Sequence, residues 1–190
     1  MTSIGDSSFN GCSSLSTITL PKMLTTIGLN SFTSTNISEL TIYENVITIK
    51  SSAFNTNTIK TVDFTGTTEP TCDSSVFTTS VTEVKVPIGY TSSDFCGKIP
   101  RSDGNCGNQC KFIYYHNNDK IITTGEMTNF ASTSKPEWNI QMSNIKSIEI
   151  KQSSKVGNYA FQGATSLTSI SFDGTMKTIG QYSFNGCSKL

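Results

Sequence analysis

Phenylalanine returns at an almost constant interval along this chain. The first four of the series are separated by 23, 22 and 23 residues, and a later pair by 23: Phe9, Phe32, Phe54 and Phe77, then Phe161 and Phe184. Arrays with so short a period consist of coils that cannot bury their apolar side chains alone, so each coil stacks on the next. A β-sandwich with evenly spaced strands would instead show spacings of about 8–12 residues. The period therefore predicts a solenoid.

Aliphatic residues repeat every 22 positions and define the strand of each coil. Apolar and polar residues alternate in these segments, which start at Leu15, Ile37, Ile59 and Val81, and again at Ile145 and Leu167. Alternation sends one set inward and the other outward, so we expect Ile18 and Leu20 to face the core. Stacked coils would pair such segments as parallel strands about 4.8 Å apart. The predicted fold is a mainly β solenoid of 22–23-residue coils with little helix.

Small residues mark the other limb of the coil. A glycine opens that limb, and a small residue directly precedes the phenylalanine. The glycines are Gly5, Gly28, Gly157 and Gly180, and the small residues are Ser8, Ser31, Ala53, Ala160 and Ser183. We expect the glycines to adopt the unusual backbone angles of a tight bend. The small residues would allow neighbouring coils to approach closely.

Two coils show the full consensus. It runs through Ile4-Gly5, Ser8-Phe9, Leu15 and Ile18-Thr19-Leu20, and through Val156-Gly157, Ala160-Phe161, Leu167 and Ile170. This pattern resembles the repeat of the BspA-like leucine-rich-repeat family. The resemblance implies a right-handed leucine-rich-repeat solenoid of the kind found on bacterial and protist surfaces. It also implies adhesion and contact with host or matrix, and binding rather than a reaction.

The first array is expected to span residues 1–97. Its fourth coil has a longer polar loop, and Pro87 stops the last strand from continuing. Val86 to Tyr90, followed by Phe95-Cys96-Gly97, resembles the last coil of an array in this family, so we interpret residues 66–97 as a C-terminal cap. Residues 98–105 contain Pro, Ser, Asp and Gly, and this composition predicts a linker.

The second array begins with a segment that breaks the period. Residues 106–144 resemble the N-terminal cap of the family, with a β-hairpin formed by residues 111–115 and 120–123 around an Asn/Asp-rich turn. His116, the only histidine, falls in that turn, where we expect it to be solvated. Residues 145–190 return to the repeat and stop within one.

Six cysteines occur in three pairs. Cys12 and Cys187 hold the same repeat position, and we expect them to be small buried hydrophobes. Cys72 and Cys96 are 24 residues apart, which is close to one turn of the coil. Together with the C-x-x-x-C pair at the start of the hairpin, this spacing predicts two disulfides, Cys72–Cys96 and Cys106–Cys110, as in an extracellular protein.

A zinc site is the alternative for these residues. Cys96, Cys106, Cys110 and His116 would supply four nitrogen or sulfur ligands. Their spacing departs from C-x-x-C zinc patterns, and the cap resemblance already accounts for the cysteines. We therefore expect no metal and no cofactor.

Charge and hydropathy limit the location and the partners. The 14 basic and 14 acidic residues give a net charge of zero, which argues against a nucleic-acid or anionic-membrane surface. No run reaches the ~18 apolar residues of a membrane span. The start of the chain lacks the pattern of a signal peptide. We expect an extracellular or cell-surface location, with the chain either a fragment or exported by another route.

The outward strand positions of the first array form the predicted binding surface, here called the strand face. Its residues are Thr17, Thr19, Glu39, Thr41, Tyr43, Thr61, Asp63, Glu83 and Lys85. Solenoids use such extended faces to bind partners, and a tyrosine supplies a large contact area with a polar tip. The predicted function is a non-enzymatic adhesion or interaction module for host or matrix proteins or glycans.

Two alternatives to a binding module remain. The chain could be a structural spacer or a repeat scaffold that assembles head to tail, because it begins and ends within repeats whose open ends normally need covering. An enzyme is the least favoured class, since a Ser-His-Asp site would have to use His116 and nothing nearby resembles a nucleophile elbow.

Overall fold

The computed structural model describes residues 1–174 and 176–190. The chain divides into two compact units, Met1–Arg101 and Ser102–Leu190. Strands make up nearly all the regular structure, and the single helical element among the described residues is a 3₁₀ helix at Glu137–Gln141. The prediction of a mainly β fold with little helix is confirmed.

Unit 1 is built from short strands. In chain order they are β1 (Ser3–Ile4), β2 (Thr26–Ile27), β3 (Glu39–Ile42), β4 (Thr48–Ile49), β5 (Thr61–Phe64), β6 (Thr71–Cys72), β7 (Glu83–Lys85) and the start of β8 (Ile99–Gly107). One parallel sheet has the order β1-β2-β4-β6. In a second, β3, β5, β7 and the first residues of β8 are parallel neighbours. After the first coil, successive coils therefore add strands to both sheets.

The register of both sheets follows the sequence period. Ile4 pairs with Ile27, which pairs with Ile49, while Leu40 pairs with Val62 in the second sheet. Residues one repeat apart are thus neighbours across the ladder, as the sequence predicted. The inward members of these pairs are buried, which places the core between the two sheets of unit 1.

The phenylalanines of unit 1 form a continuous stack. Ring centroids of Phe9 and Phe32, of Phe32 and Phe54, and of Phe54 and Phe77 are 5.0, 5.2 and 5.5 Å apart, with planes within 11° of parallel. Phe32 and Phe54 are fully buried. Burial of such a side chain contributes about 1.5–3 kcal/mol, so every added coil stabilises its neighbour.

The first coil departs from the predicted strand pattern. Residues 15–20 form no ladder with β3 in the described structure. Leu20 is buried as predicted, and Ile18 is half-buried and packs against the core.

The glycine prediction is wrong about backbone angles. None of Gly5, Gly28, Gly157 and Gly180 has a positive φ among the described residues. Glycine is needed for clearance instead, because a Cβ on Gly28 would lie 2.6 Å from the Asp6 nitrogen of the preceding coil. The left-handed position is the residue two before each phenylalanine. It is occupied by Ser7, Asn30, Ser52, Ser75, Tyr159 and Tyr182, with φ between 52° and 58°.

The end of unit 1 differs from the linker prediction for residues 98–105. Most of that segment lies in β8, whose residues Ile99–Arg101 pair in parallel with Glu83–Lys85. Pro100 and Ser102 are buried. Composition suggested a loop, but a free strand edge was available for pairing, and tertiary pairing overrides local propensity. The division between the units falls inside this strand, after Arg101.

Unit 2 continues the chain with six further strands. They are β9 (Cys110–Tyr115), β10 (Lys120–Thr124), β11 (Ser147–Lys151), β12 (Lys155–Val156), β13 (Ser169–Phe172) and β14 (Thr178–Ile179). β9 and β10 form the predicted antiparallel hairpin. β11 pairs in parallel with β10 on one side and with β13 on the other, and β12 pairs with β14. The repeat architecture thus resumes directly from the hairpin.

Trp138 occupies the phenylalanine column of unit 2. Its ring stacks on Phe161 at 5.3 Å, and Phe161 stacks on Phe184 at 5.6 Å. The indole is fully buried. Trp138 precedes Phe161 by one repeat of 23 residues, so the tryptophan closes the stack before the first full coil.

Both predicted disulfides are present. Cys72 is bonded to Cys96 and Cys106 to Cys110, with Cα atoms 5.3 and 4.8 Å apart. The first joins β6 to the segment after β7, and the second lies at the start of the hairpin. The cap roles of these segments remain predictions.

Candidate functional site

The strand face lies on one ladder of unit 1. Glu39 is the ladder neighbour of Thr61, and Thr41 is that of Asp63. Asp63 in turn pairs with Lys85 of the next coil. Neighbouring parallel strands are about 4.8 Å apart, so side chains from successive coils can contact the same ligand.

A shallow cavity opens on this face. It has a volume of about 230 Å³, and the residues around it are Ser16, Thr17, Ile18, Ser38, Glu39, Leu40, Thr41, Thr61 and Asp63. Five of the nine residues of the strand face are among them. The other four, Thr19, Tyr43, Glu83 and Lys85, are not part of the cavity wall. The structure therefore concentrates the predicted face at its first three coils.

The carboxylates of this cavity have no intramolecular partner. Within the described residues, neither Glu39 nor Asp63 accepts a hydrogen bond or joins an ion pair, and both are exposed. Among the described residues, the hydroxyls of Thr17, Thr41 and Thr61 likewise form no hydrogen bond. The cavity therefore presents hydrogen-bond donors and acceptors that only solvent or a ligand can satisfy.

Threonines elsewhere in unit 1 behave differently. Thr25 donates its hydroxyl to the Thr2 carbonyl at 2.9 Å. Thr56 donates to Thr35 at 2.7 Å, and Thr78 donates to Thr56 at 3.0 Å. These bonds tie each coil to its predecessor. These threonine hydroxyls thus serve the fold, whereas those around the cavity are free for recognition.

The two ends of the strand face are already engaged. The Glu83 carboxylate forms an ion pair with Arg101, and Oε2 of Glu83 lies 2.8 Å from Nε of Arg101. Tyr43, the predicted anchor, is half-buried against the core, and Lys22 Nζ lies 5.7 Å from its ring centroid. The Tyr43 ring therefore packs against the core outside the cavity and is not a projecting contact.

In unit 2 the corresponding outward positions carry a compact charge cluster. Glu149 accepts from Lys120 Nζ at 2.8 Å and from Lys151 Nζ at 3.0 Å. Hydrogen bonds from these two ammonium groups, Lys120 first, hold the pKa of Glu149 below its ordinary value. At this point the charges on the outward face of unit 2 are therefore paired with one another, unlike the carboxylates of the cavity in unit 1.

Comparison with known families identifies the repeat. A family model described as the BspA type leucine-rich repeat region matches six copies, over residues 1–95 and 108–190. This chain belongs to the BspA-type leucine-rich-repeat family. Repeats of this family serve as interaction modules, are generally not enzymes and are typically associated with surfaces.

Two further comparisons add little to the family assignment. A crystal structure of a leucine-rich repeat protein from Bacteroides ovatus ATCC 8483 is 18% identical, with a TM-score of 0.30. The match covers 100% of this chain and 57% of that one. No curated protein matches the chain. Among the described residues of these BspA-type repeats, no helix has the length and apolarity required to cross a bilayer.

Sequence reasoning missed part of the cavity wall. Ser16 and Ser38 line it, although neither was assigned to the strand face. They occupy the same repeat position, 22 residues apart, and this column was the available signal. Ile18 packs against the core as expected, and it also borders the cavity.

His116 is not solvated as predicted. It is 7% exposed, and its Nε2 is hydrogen-bonded to the Ser102 hydroxyl at 2.7 Å. The Tyr114 ring packs edge-on against the imidazole at 4.8 Å. The pairing of β8 with β9 carries this side chain inward. Ser102 is only 2% exposed, so this serine and histidine face the core of unit 2 rather than a substrate.

The remaining cysteine expectations are corrected by the BspA-type structure. The zinc alternative is wrong, because Cys96, Cys106 and Cys110 are bonded in the two disulfides. Cys12 is exposed rather than buried, since the turn after Phe9 lies at the surface. Cys187 is half-buried, and burial raises the pKa of its thiol.

Proposed function

We propose that this chain is a non-enzymatic adhesion module at the cell surface or outside the cell, which binds a protein or glycan partner through the strand face of unit 1. The observation that supports the proposal is the cavity whose carboxylates and hydroxyls lack intramolecular partners. Extended faces of stacked repeats are suited to macromolecular partners.

The composition of the cavity supports a polar contact. Glu39 and Asp63 lie on adjacent coils, two residues out of register, so both carboxylates can reach one bound group. Hydroxyls from Thr17, Thr41 and Thr61 surround them. Such a site suits hydroxyl or cationic groups of a partner, because charge-assisted hydrogen bonds are the stronger ones.

Immobilised protein tested against purified matrix glycoproteins and a glycan array would identify a partner. The double variant Glu39→Gln/Asp63→Asn keeps the side-chain shape and removes the charge. We expect it to weaken binding at least about tenfold, as for other charged contacts in interfaces. Asn57→Ala, an exposed substitution outside the cavity, is the matched control and should bind like the unmodified chain.

If the chain is a structural spacer, the double variant should bind no more weakly than the unmodified chain. If the charge-neutral variant folds and binds its partner unchanged, the strand face of unit 1 is not the contact surface. If the unmodified chain retains no matrix protein or glycan, the adhesion proposal fails.

A second candidate is self-association of coils. Ile179 and Tyr182, in the last coil of unit 2, are 55% and 49% exposed. The coil that contains them nearly copies the sequence of the first coil, from Phe184 to Leu190 against Phe9 to Leu15. A second copy could therefore stack its first coil here. Light scattering across a concentration series tests this: Ile179→Lys should abolish any concentration-dependent dimer, and a monomer at every concentration contradicts it.

A further inference from the structure

The Cys72–Cys96 disulfide of unit 1 borders an open cavity. This cavity has a volume of about 400 Å³, and the residues around it include Glu69, Cys72, Asp73, Asp94 and Cys96. Both cysteines and Glu69 are half-buried and line this cavity. Three carboxylates surround this cavity, and its field therefore favours a cation.

Three potential ligand atoms converge here. A Glu69 carboxylate oxygen and the sulfur atoms of Cys72 and Cys96 all lie within 4.8 Å of one another. The Glu69 carboxylate is oriented, since Oε1 accepts from the Cys96 backbone N–H at 2.9 Å and Oε2 from the Ser92 hydroxyl at 2.8 Å. Outer hydrogen bonds of this kind are what fix a ligating carboxylate in a metal site.

The backbone around the two cysteines is held independently of the disulfide. Thr71 and Asp73, on either side of Cys72, donate their N–H groups to the Ile47 and Ile49 carbonyls at 2.7 and 3.0 Å. Beside Cys96, the Gly97 N–H donates to Asp94 Oδ2 at 2.7 Å. The coil therefore keeps both thiols at this cavity after the sulfur–sulfur bond is broken.

We propose that unit 1 contains a redox-dependent metal site, in which reduced Cys72 and Cys96 together with Glu69 bind a thiophilic divalent cation such as Zn²⁺ or Cd²⁺. Cysteine sulfur and carboxylate oxygen are both zinc ligands, and three protein ligands leave a fourth position for water. The set considered from the sequence shares Cys96 with this site but took its other ligands from Cys106, Cys110 and His116.

The chemistry balances in two steps. A phosphine reductant breaks the sulfur–sulfur bond, takes an oxygen atom from water and becomes a phosphine oxide, while the two hydrogens of that water protonate the two sulfurs. A dithiol would deliver the same two electrons and two protons and become a disulfide. The cation then displaces both thiol protons, which leave to solvent, as metal binding by thiols requires.

The coil geometry accommodates the ion. Two thiolates on a tetrahedral zinc are about 3.8 Å apart, given a Zn–S distance of about 2.3 Å. The Cα atoms of Cys72 and Cys96 are 5.3 Å apart, and side-chain rotation alone opens the sulfurs from bonded contact to that separation. The cross-link between β6 and the segment after β7 would thus persist in reducing surroundings, with the metal in place of the disulfide.

The test uses the whole chain with Cys12→Ser, Cys187→Ser, Cys106→Ser and Cys110→Ser, which leaves Cys72 and Cys96 as its only cysteines. Protein is reduced with a phosphine, freed of reductant without oxygen, and titrated with Cd²⁺ while the ultraviolet cadmium–thiolate band is recorded. We expect the band of the reduced protein to saturate at one Cd²⁺ ion per chain. The oxidised protein should show no band. The same ion should raise the melting temperature of reduced protein only, since it binds the folded state.

Two variants in this background test the ligands. Cys72→Ser should lose the band, and Glu69→Gln should weaken binding by about 10–100-fold. Restoring Cys106 and Cys110 should leave the affinity of the Cys72–Cys96 site unchanged. The proposal is overturned if reduced protein binds no Cd²⁺, if Cys72→Ser keeps the band, or if Glu69→Gln binds normally. Circular dichroism of each reduced variant confirms that it is folded.

Discussion

Trp138 stacks on Phe161 with ring planes 19° apart, and its Nε1 donates to the Ala160 carbonyl at 3.0 Å. The tryptophan also meets Phe112 of the hairpin edge-on at 5.0 Å. One side chain therefore joins the hairpin of unit 2 to the first phenylalanine of its repeats. Its burial is complete, so its loss would leave a large cavity at this junction.

Replacement of Trp138 tests this role. Trp138→Ala should lower the free energy of unfolding by about 3–5 kcal/mol, the range for large aromatic truncations in cores. Trp138→Phe keeps a ring in the column and loses the hydrogen bond to Ala160, so about 1–2 kcal/mol is expected. Urea unfolding followed by circular dichroism measures both. Equal losses in the two variants would show that the stacked ring is not what stabilises the junction.

Gly28 and Gly11 allow the requirement for space between coils to be tested separately from the requirement for a left-handed backbone conformation. A Cβ on Gly28 would lie 2.6 Å from backbone atoms of the preceding coil, whereas Gly11 has a φ of 75° with nothing within 4 Å of its Cβ position. Gly28→Ala must move one coil away from the next, and we expect a loss of at least about 2 kcal/mol. Gly11→Ala meets only the left-handed penalty of about 1–2 kcal/mol. Thermal unfolding ranks them, and a larger loss for Gly11→Ala would refute the clearance argument.

Sequence reasoning was strongest where one signal repeated. The phenylalanine column, the parallel register and the Cys72–Cys96 disulfide follow from a fixed period, because equivalent residues of stacked coils must be neighbours. Reasoning failed where one residue type serves two purposes. Glycine suits a bend or a close approach, and only coordinates show that Gly28 is needed for the second.

The candidate site was harder to predict than the fold. Alternation correctly placed Glu39 and Asp63 on the outer side of the ladder. It could not distinguish their free carboxylates from Glu83, which is paired with Arg101. Arg101 belongs to β8, a strand whose composition had predicted a linker. Hydrogen-bond partners depend on contacts between distant segments, which a single sequence does not specify.

Ser31 and Ser183 hold the same repeat position with different bonding. Ser31 is fully buried and its hydroxyl has no partner among the described residues. The Ser183 hydroxyl bonds to the carbonyls of Gly157 and Gly180 at 2.9 and 2.6 Å. An unsatisfied buried hydroxyl destabilises the fold, so Ser31→Ala should raise the free energy of unfolding by about 1 kcal/mol. Ser183→Ala should lower it by about the same amount, and denaturant unfolding in which both variants lose stability would contradict the contrast.

Glu149 gives unit 2 a predictable response to acid. Lys120 and Lys151 hold the pKa of its carboxylate below the ordinary value, so the folded chain binds the proton less readily than the unfolded chain. The stabilisation is complete above the unfolded pKa of about 4.3. It is lost as the pH falls from there through the lower folded value.

The variant Glu149→Gln removes that titration. At pH 7 it should cost about 0.2–1 kcal/mol, as expected for partly exposed ion pairs. Below pH 4 the difference from the unmodified chain should shrink, because protonated Glu149 also lacks the charge that attracts Lys120 and Lys151. Melting temperatures measured from pH 7 to pH 3 in low salt test this convergence. A gap between the two proteins that widens toward acid would mean that the lysines do not stabilise the carboxylate.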